Sequence, residues 1–502
     1  MDAISDATAG RTAAVVVALA DTRTDSPEAG PAGEQPAAAP PTSPAPQAPP
    51  GSPTVSATSA TSAASAAFEV SGVVLAAGPL SGPAVATPAA PAPLGPPAAA
   101  ATGTVGDPVV PAQAGPGGSG RCAEPAQRYP RPVVTELRLS AFGPHRSAVF
   151  PLGPLTLFAG PSGSGKSQAL AAYEALAGLG SGATLEEAFP DPRARIPDRA
   201  VPDAQRRRGF RLGCTVDGPA GPVRLDLAVQ AEPTLRIVGE RLSQDGQILL
   251  ATALRDPGRR SVQAAWLTGG AVGVTRAPLP DDRLGTALLP LRVAGSTAGQ
   301  RQVLAAAEQV VVALRAVFPC DPRPDRMRAA VAPGEGRLLG DCANLADVLR
   351  RTRSECGTRH ALLAEAARNG CAGFVSGLDV RTPEGGGLVE AVLDRGPGRP
   401  ATELARLGAG ELHFLALALV LLTGPGVLAM DPAAELLSAR QALTVLADGF
   451  DRDLDGRQSA ELLRLALLSC GRGHIRLVAA VGEGAAAAAR DLPGVTMVDL
   501  RV

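Results

Sequence analysis

Gly160-Pro161-Ser162-Gly163-Ser164-Gly165-Lys166-Ser167 is the stretch on which the reading of this 502-residue chain turns. It matches in full the pattern G-x-x-x-x-G-K-[S/T], in which loop N–H groups cradle phosphates, the lysine reaches the outer ones and the last hydroxyl meets Mg²⁺. Lys166 is the single lysine of the sequence, and the remaining basic residues are arginine. Wherever a positive charge alone serves, the chain has Arg; at this position it has a compact ammonium on a flexible stem. Before the loop, Leu155 to Ala159 is an apolar run of strand length. After it, Ser167 to Leu176 is rich in Ala and Leu without a breaker. Strand, glycine loop and helix is the context the pattern requires, so residues Gly160 to Gln168 are expected to hold ATP, with Ser167 toward Mg²⁺.

Composition divides the chain. Residues 1–128 are dominated by Ala, Pro, Ser, Thr and Gly, with too little apolar side chain to offset the entropy of ordering, and disorder is expected there. Two short apolar islands, Ala13 to Ala20 and Val70 to Ala77, are far below the roughly 20 residues of a membrane helix. The first follows Asp2 and Asp6 rather than a basic segment, which argues against a secretory signal and for the cytoplasm. From Tyr129 onward, periodic apolar segments run to the end of the chain. The formal charge is −1 overall, with arginine clusters at Arg206-Arg207-Arg208, Arg259-Arg260 and Arg350-Arg351-Arg353. These could meet DNA phosphates, but no aromatic platform accompanies them, and DNA gains no support from net charge. Seven cysteines are scattered and never spaced C-x-x-C, which removes an obvious zinc site or disulfide framework. His145, His360, His413 and His474 are each isolated.

The pattern of residues 129–502 predicts one nucleotide-binding domain, with its core at 129–180 and 400–502. Between these lie four strands (Phe210–Val216, Val223–Gln230, Leu235–Leu242, Gln247–Ala253) joined by turn residues such as Asp217-Gly218 and Asp245-Gly246. They form an antiparallel subdomain at 205–255. Helical periodicity at Gln300–Val317 and Leu345–Asn369 predicts a helical insertion at 295–372. Leu407-Gly408-Ala409-Gly410-Glu411 opens into an apolar helix. Val427 to Met430 reads as a buried strand ending in Asp431, followed by a helix over Ala433–Phe450, a helix over Ser459–Cys470 and strands at Ile475–Val481 and Val495–Val502. His145 and Arg146, after the first strand and turn, are candidates for ribose or phosphate contact.

These segments resemble the ATPase heads of the SMC/RecF group within the ABC-type ATPases, in the compact form known as AAA-family ATP-binding proteins. The residues that carry the resemblance are Leu137–Pro144, Pro151–Thr156, the loop Gly160–Ser167, Leu407–Glu411 and Val427–Asp431. It implies a P-loop hydrolase fold of three α/β layers and a nucleotide-dependent homodimer. In that dimer Gly408, Ala409, Gly410 and Glu411 form a signature loop acting in trans, and Asp431 joins Ser167 on the metal. It also exposes departures. Gly408 replaces the signature serine, Pro432 replaces the glutamate that activates water, and Gly482 and Glu483 stand where a switch histidine belongs. The family's Q-loop glutamine has no identified counterpart. Glu435 is the nearest carboxylate to serve as a catalytic base. The expected protein therefore binds ATP with weak or absent hydrolysis. The alternatives are an active ATPase, stimulated by DNA, in repair or maintenance; a nucleotide kinase; a transporter-energising subunit, disfavoured by the roughly 240 residues between Ser167 and Leu407; and a tether built on the Ala/Pro segment.

Overall fold

The computed structural model describes residues 131–270, 272–383, 386–430 and 442–500. The N-terminal segment 1–128, together with Asp431, Pro432 and Glu435, lies outside the described residues. β1 (Val133–Phe142) and β2 (His145–Pro151) form a hairpin that feeds β3 (Leu155–Ala159), the glycine loop and helix α1 (Lys166–Gly180). A meander comes next: β4 (Arg208–Asp217), β5 (Val223–Glu232), β6 (Arg236–Gln244), β7 (Gln247–Ala253), β8 (Ser261–Leu267) and β9 (Val274–Pro280). Its turns use the residues their geometry demands; Asp245 and Gly246 both take positive φ between Gln244 and Gln247, as a two-residue hairpin of this twist requires.

The meander is larger than the four strands the sequence suggests. β1 and β2 join it rather than the nucleotide-binding sheet, giving an eight-stranded antiparallel sheet in the order β2-β1-β4-β5-β6-β7-β8-β9. A second sheet of five strands is parallel throughout, in the order β10 (Val317–Cys320), β14 (Leu443–Ala447), β15 (Ile475–Ala480), β3, β16 (Val495–Asp499). A small third sheet joins β11 (Gly377–Arg381), β12 (Glu390–Asp394) and β13 (Thr402–Glu403).

Both faces of the parallel sheet are buried, so its strands are apolar runs in which alternate side chains enter different cores. Leu155, Leu157, Val445 and Leu477 pack with the helices at 345–355, 357–370, 409–422 and 456–471. Phe158, Leu446 and Val478 point the other way, into a core shared with α1, the helix Ala298–Arg315 and the antiparallel sheet. Helices between two sheets and helices outside the parallel one make a layered α/β architecture. Arg476 of β15 pins the sheets to one another, donating to the carbonyls of Val134 at 3.1 Å and Leu152 at 2.8 Å.

Three expectations are corrected. Val427–Met430 is not a strand of the sheet: a 3₁₀ turn covers Pro425–Val427, and Leu428 makes only an isolated bridge with Leu338. The sheet strand lies at Leu443–Ala447, inside the stretch read as a helix. The insertion at 295–372 is not purely helical, since it contains β10, and its second helix is broken at Cys356, whose extended backbone separates Leu345–Glu355 from Gly357–Gly370.

α1 is held close to its neighbour at Gly180, where a β-carbon would meet Leu314 Cβ at 2.5 Å. Gly180→Ala is therefore expected to lower stability by about 1–3 kcal/mol through overpacking, read as a lower urea midpoint with an unchanged slope.

Candidate nucleotide site

The carboxyl ends of parallel strands converge on one edge of a sheet, and that edge is where ligands bind in open α/β folds. Here β3 ends at Ala159 and turns directly into the glycine loop. Gly160 has φ +144°, and a β-carbon on it would lie 2.4 Å from Leu500 O and 2.9 Å from Ser164 Oγ. Gly165 has φ +96°, and a β-carbon there would collide with His145 Nε2 at 2.6 Å. Only glycine satisfies both the torsions and the space.

The loop closes on its own lysine. Lys166 Nζ donates to Gly160 O at 2.6 Å and Pro161 O at 3.1 Å. Gly165 caps α1 with no side-chain hydrogen bond, so the first N–H groups of a 15-residue helix carry the positive end of its dipole without a capping oxygen. Ser164 Oγ is buried and has no hydrogen-bond partner among the described residues. An orphaned hydroxyl, an uncapped helix start and an ammonium in one loop are groups that an anion would satisfy.

Ser167 Oγ donates to Asp448 Oδ1 at 3.0 Å. Asp448 directly follows β14, two strands from β3 in the sheet, and so ends a sheet strand as the sequence reading expected of Asp431, which lies outside the described residues. A hydroxyl and a carboxylate within one hydrogen bond, beside a phosphate loop, are hard oxygen donors of the kind Mg²⁺ takes. Gly449 follows Asp448, so the next residue brings no acid; the next acidic side chain, Asp451, accepts from Gly482 N with its two oxygens at 3.0 and 3.1 Å. Asp448 escaped the sequence reading. The signal available was Leu443-Thr444-Val445-Leu446-Ala447-Asp448-Gly449, five apolar or β-branched residues ending in an acid and a turn glycine.

Other expected residues take different roles. Gln168 turns its side chain away from the loop, where Oε1 accepts from Arg195 Nη1 at 2.8 Å. His145 is buried beneath the loop, with Nε2 3.1 Å from Gly165 O and its ring edge-on to Phe150 at 5.3 Å, so it props the loop instead of meeting ribose or phosphate. Arg146 is exposed on β2. Gly408 caps the helix Ala409–Leu422, and Glu411 spends one carboxylate oxygen on Gly408 N at 3.0 Å and the other on Ala372 N at 2.8 Å. Gly410 lies against the loop after β14, where a β-carbon would meet Asp453 O at 2.2 Å.

No protein-family model and no curated protein matches this sequence. Among solved structures, the chain is similar to the SMC head domain from Thermotoga maritima at 14% identity and TM-score 0.34, covering 73% of this chain and 94% of that one. It is similar also to an SmcHead bound to the C-winged helix domain of ScpA, at 13% identity and TM-score 0.37, covering 71% and 91%. A third is an Smc head domain with an extended coiled coil bound to the C-terminal domain of ScpA from Pyrococcus furiosus, at 12% identity and TM-score 0.39, covering 74% and 94%. Likeness at these scores decides nothing about this chain.

Burial lowers the pKa of His145 below 6.5, opposed by its bond to Gly165 O. The fold thus prefers the neutral ring, and the stability this preference confers is present above pH 6.5 and lost as pH falls through the lower folded value. Melting temperature is expected to drop between pH 7 and 5, and His145→Gln should shrink that drop. His413 and His474, also lowered mainly by burial, should keep the rest of it.

Proposed function

We propose that the chain binds a nucleoside triphosphate with Mg²⁺ at Gly160–Ser167, with ATP the expected nucleotide, and turns it over slowly or not at all. The observation that carries this reading is the cluster of donors at the carboxyl end of β3, namely the uncapped start of α1 and the unpartnered Ser164 hydroxyl beside Lys166, one hydrogen bond away from Asp448 through Ser167. Loop amides and α1 would hold the phosphates, Lys166 would leave its two carbonyls for the outer phosphates, and Ser167 with Asp448 would hold the metal. Mg²⁺ held there would neutralise charge on the outer phosphates.

Slow turnover rests on the residues beyond Asp448. A positioned general base contributes about 10²–10⁴-fold to rate, and neither Gly449 nor Gly482 supplies one. Glu435, the substitute base suggested by the sequence, lies outside the described residues and is kept as a variant to test.

The proposed assembly is a homodimer closed around nucleotide, with Gly408–Glu411 of one copy meeting the phosphates of the other. The helix dipole at Ala409 supports it. DNA stimulation draws less support, because seven of the eight clustered arginines are paired with carboxylates. Arg207 pairs with Asp203, Arg208 with Glu232, Arg259 with Asp256, Arg260 with Asp281, Arg350 with Asp347, Arg351 with Glu355 and Arg353 with Asp379. No described helix is long and apolar enough to cross a membrane.

Lys166→Ala is expected to remove saturable ATP binding, measured by calorimetry. Asp448→Asn should leave metal-free binding intact while losing the gain in affinity from Mg²⁺. Mass in solution should double with ATP·Mg²⁺ for the wild type and stay monomeric for Lys166→Ala. Phosphate release should be slow, unaffected by DNA and unchanged in Glu435→Gln; fast release that Glu435→Gln abolishes would reverse the assignment of a weak hydrolase.

A further inference from the structure

The residue after Asp448 marks a second feature of the site. Gly449 has φ +71°, and a β-carbon on it would lie 2.8 Å from both Nε and Nη2 of Arg452. The guanidinium of Arg452 therefore fills the place that a side chain following Asp448 would take. Two hydrogen bonds fix it there: Nη2 donates to Asp448 O at 3.1 Å, and Nη1 donates to Asp321 Oδ1 at 2.9 Å. Asp321 follows β10, whose register with β14 pairs Cys320 with Ala447, so Asp321 stands level with Asp448 on the neighbouring strand. Arg323 also pairs with Asp321, at 2.8 Å, leaving its carboxylate shared between two guanidinium groups. The Arg452 side chain is 42% exposed. An arginine carries five N–H donors, and the two bonds described leave others to offer.

We infer that Arg452 grips the terminal phosphate of the bound nucleotide and makes the site select triphosphates over diphosphates. The inference rests on the nucleotide reading above and deepens it. Ser167 and Asp448 would hold the metal, and a triphosphate seated in the glycine loop would extend its third phosphate toward Asp448, whose carbonyl anchors Arg452. A planar guanidinium offers parallel donors that match phosphate oxygens. Asp321 holds this group in place at low cost, since its charge is shared with Arg323. A guanidinium beside Asp448 binds the third phosphate but takes no proton from water, so it does not stand in for a general base.

The test is calorimetric titration of the full chain with ATP and with ADP, each with Mg²⁺. The wild type is expected to bind ATP at least about tenfold more tightly than ADP, as one charge-assisted contact would give. Arg452→Gln should bring the two affinities together while leaving that for ADP unchanged, and Arg452→Lys should lower the ratio by several-fold through loss of the planar fork. Asp321→Asn loosens one of the two anchors of the guanidinium and should lower the ratio by less than Arg452→Gln does. If Arg452→Gln keeps the wild-type ratio, the inference is overturned; if that variant fails to fold, an undiminished ratio in Arg452→Lys overturns it. Either result leaves the nucleotide reading standing wherever ADP binding is lost in Lys166→Ala. Absence of binding by the wild type to either nucleotide overturns both.

Discussion

A backbone turn that only glycine can make, at the carboxyl end of a fully buried strand, sets the position of everything else in this site. Gly160 must pass beneath Leu500 O, and Gly165 must pass over His145, and together they aim the start of α1 and Ser164 into one small volume. The surrounding fold exists to hold that turn still. β3 is flanked by β15 and β16, α1 is clamped between the two sheets, and the β1–β2 hairpin supplies His145 as a prop from below.

Electrostatics then divides the edge of the sheet into two halves. On the side of β3 the protein offers donors: main-chain N–H groups, a hydroxyl and the lone ammonium. On the side of β14 and β10 it offers carboxylates, Asp448 and Asp321, with Arg452 set between them. In the proposed reading, a cation held at Asp448 and an anion held by the loop complement one another.

The loop was legible because its chemistry is local. Eight consecutive residues specify torsions, donors and helix start, and Lys166 stands out against a background of arginine. The meander was legible from alternation and turns such as Asp245-Gly246. Misreading arose where contacts are long-range. Val427–Met430 and Leu443–Ala447 are both short apolar runs that end in Asp, and periodicity cannot say which one pairs with β15. Leu443–Ala447 wins because it fits between β10 and β15 with alternate residues entering both cores. The Ala- and Leu-rich residues before it concealed a strand inside an apparent helix. Arg452 was invisible for a related reason: its role comes from curling back over Gly449, a placement that no spacing in the sequence announces.

Hydrogen–deuterium exchange of the full chain, with and without ATP·Mg²⁺, addresses the central claim most directly. Slowed exchange at amides of Ser162–Gln168 and of Asp448–Arg452, joined by Gly408–Glu411 where the proposed dimer closes, and absent from Lys166→Ala, is the predicted result. Unchanged exchange in both segments at saturating nucleotide would contradict the account.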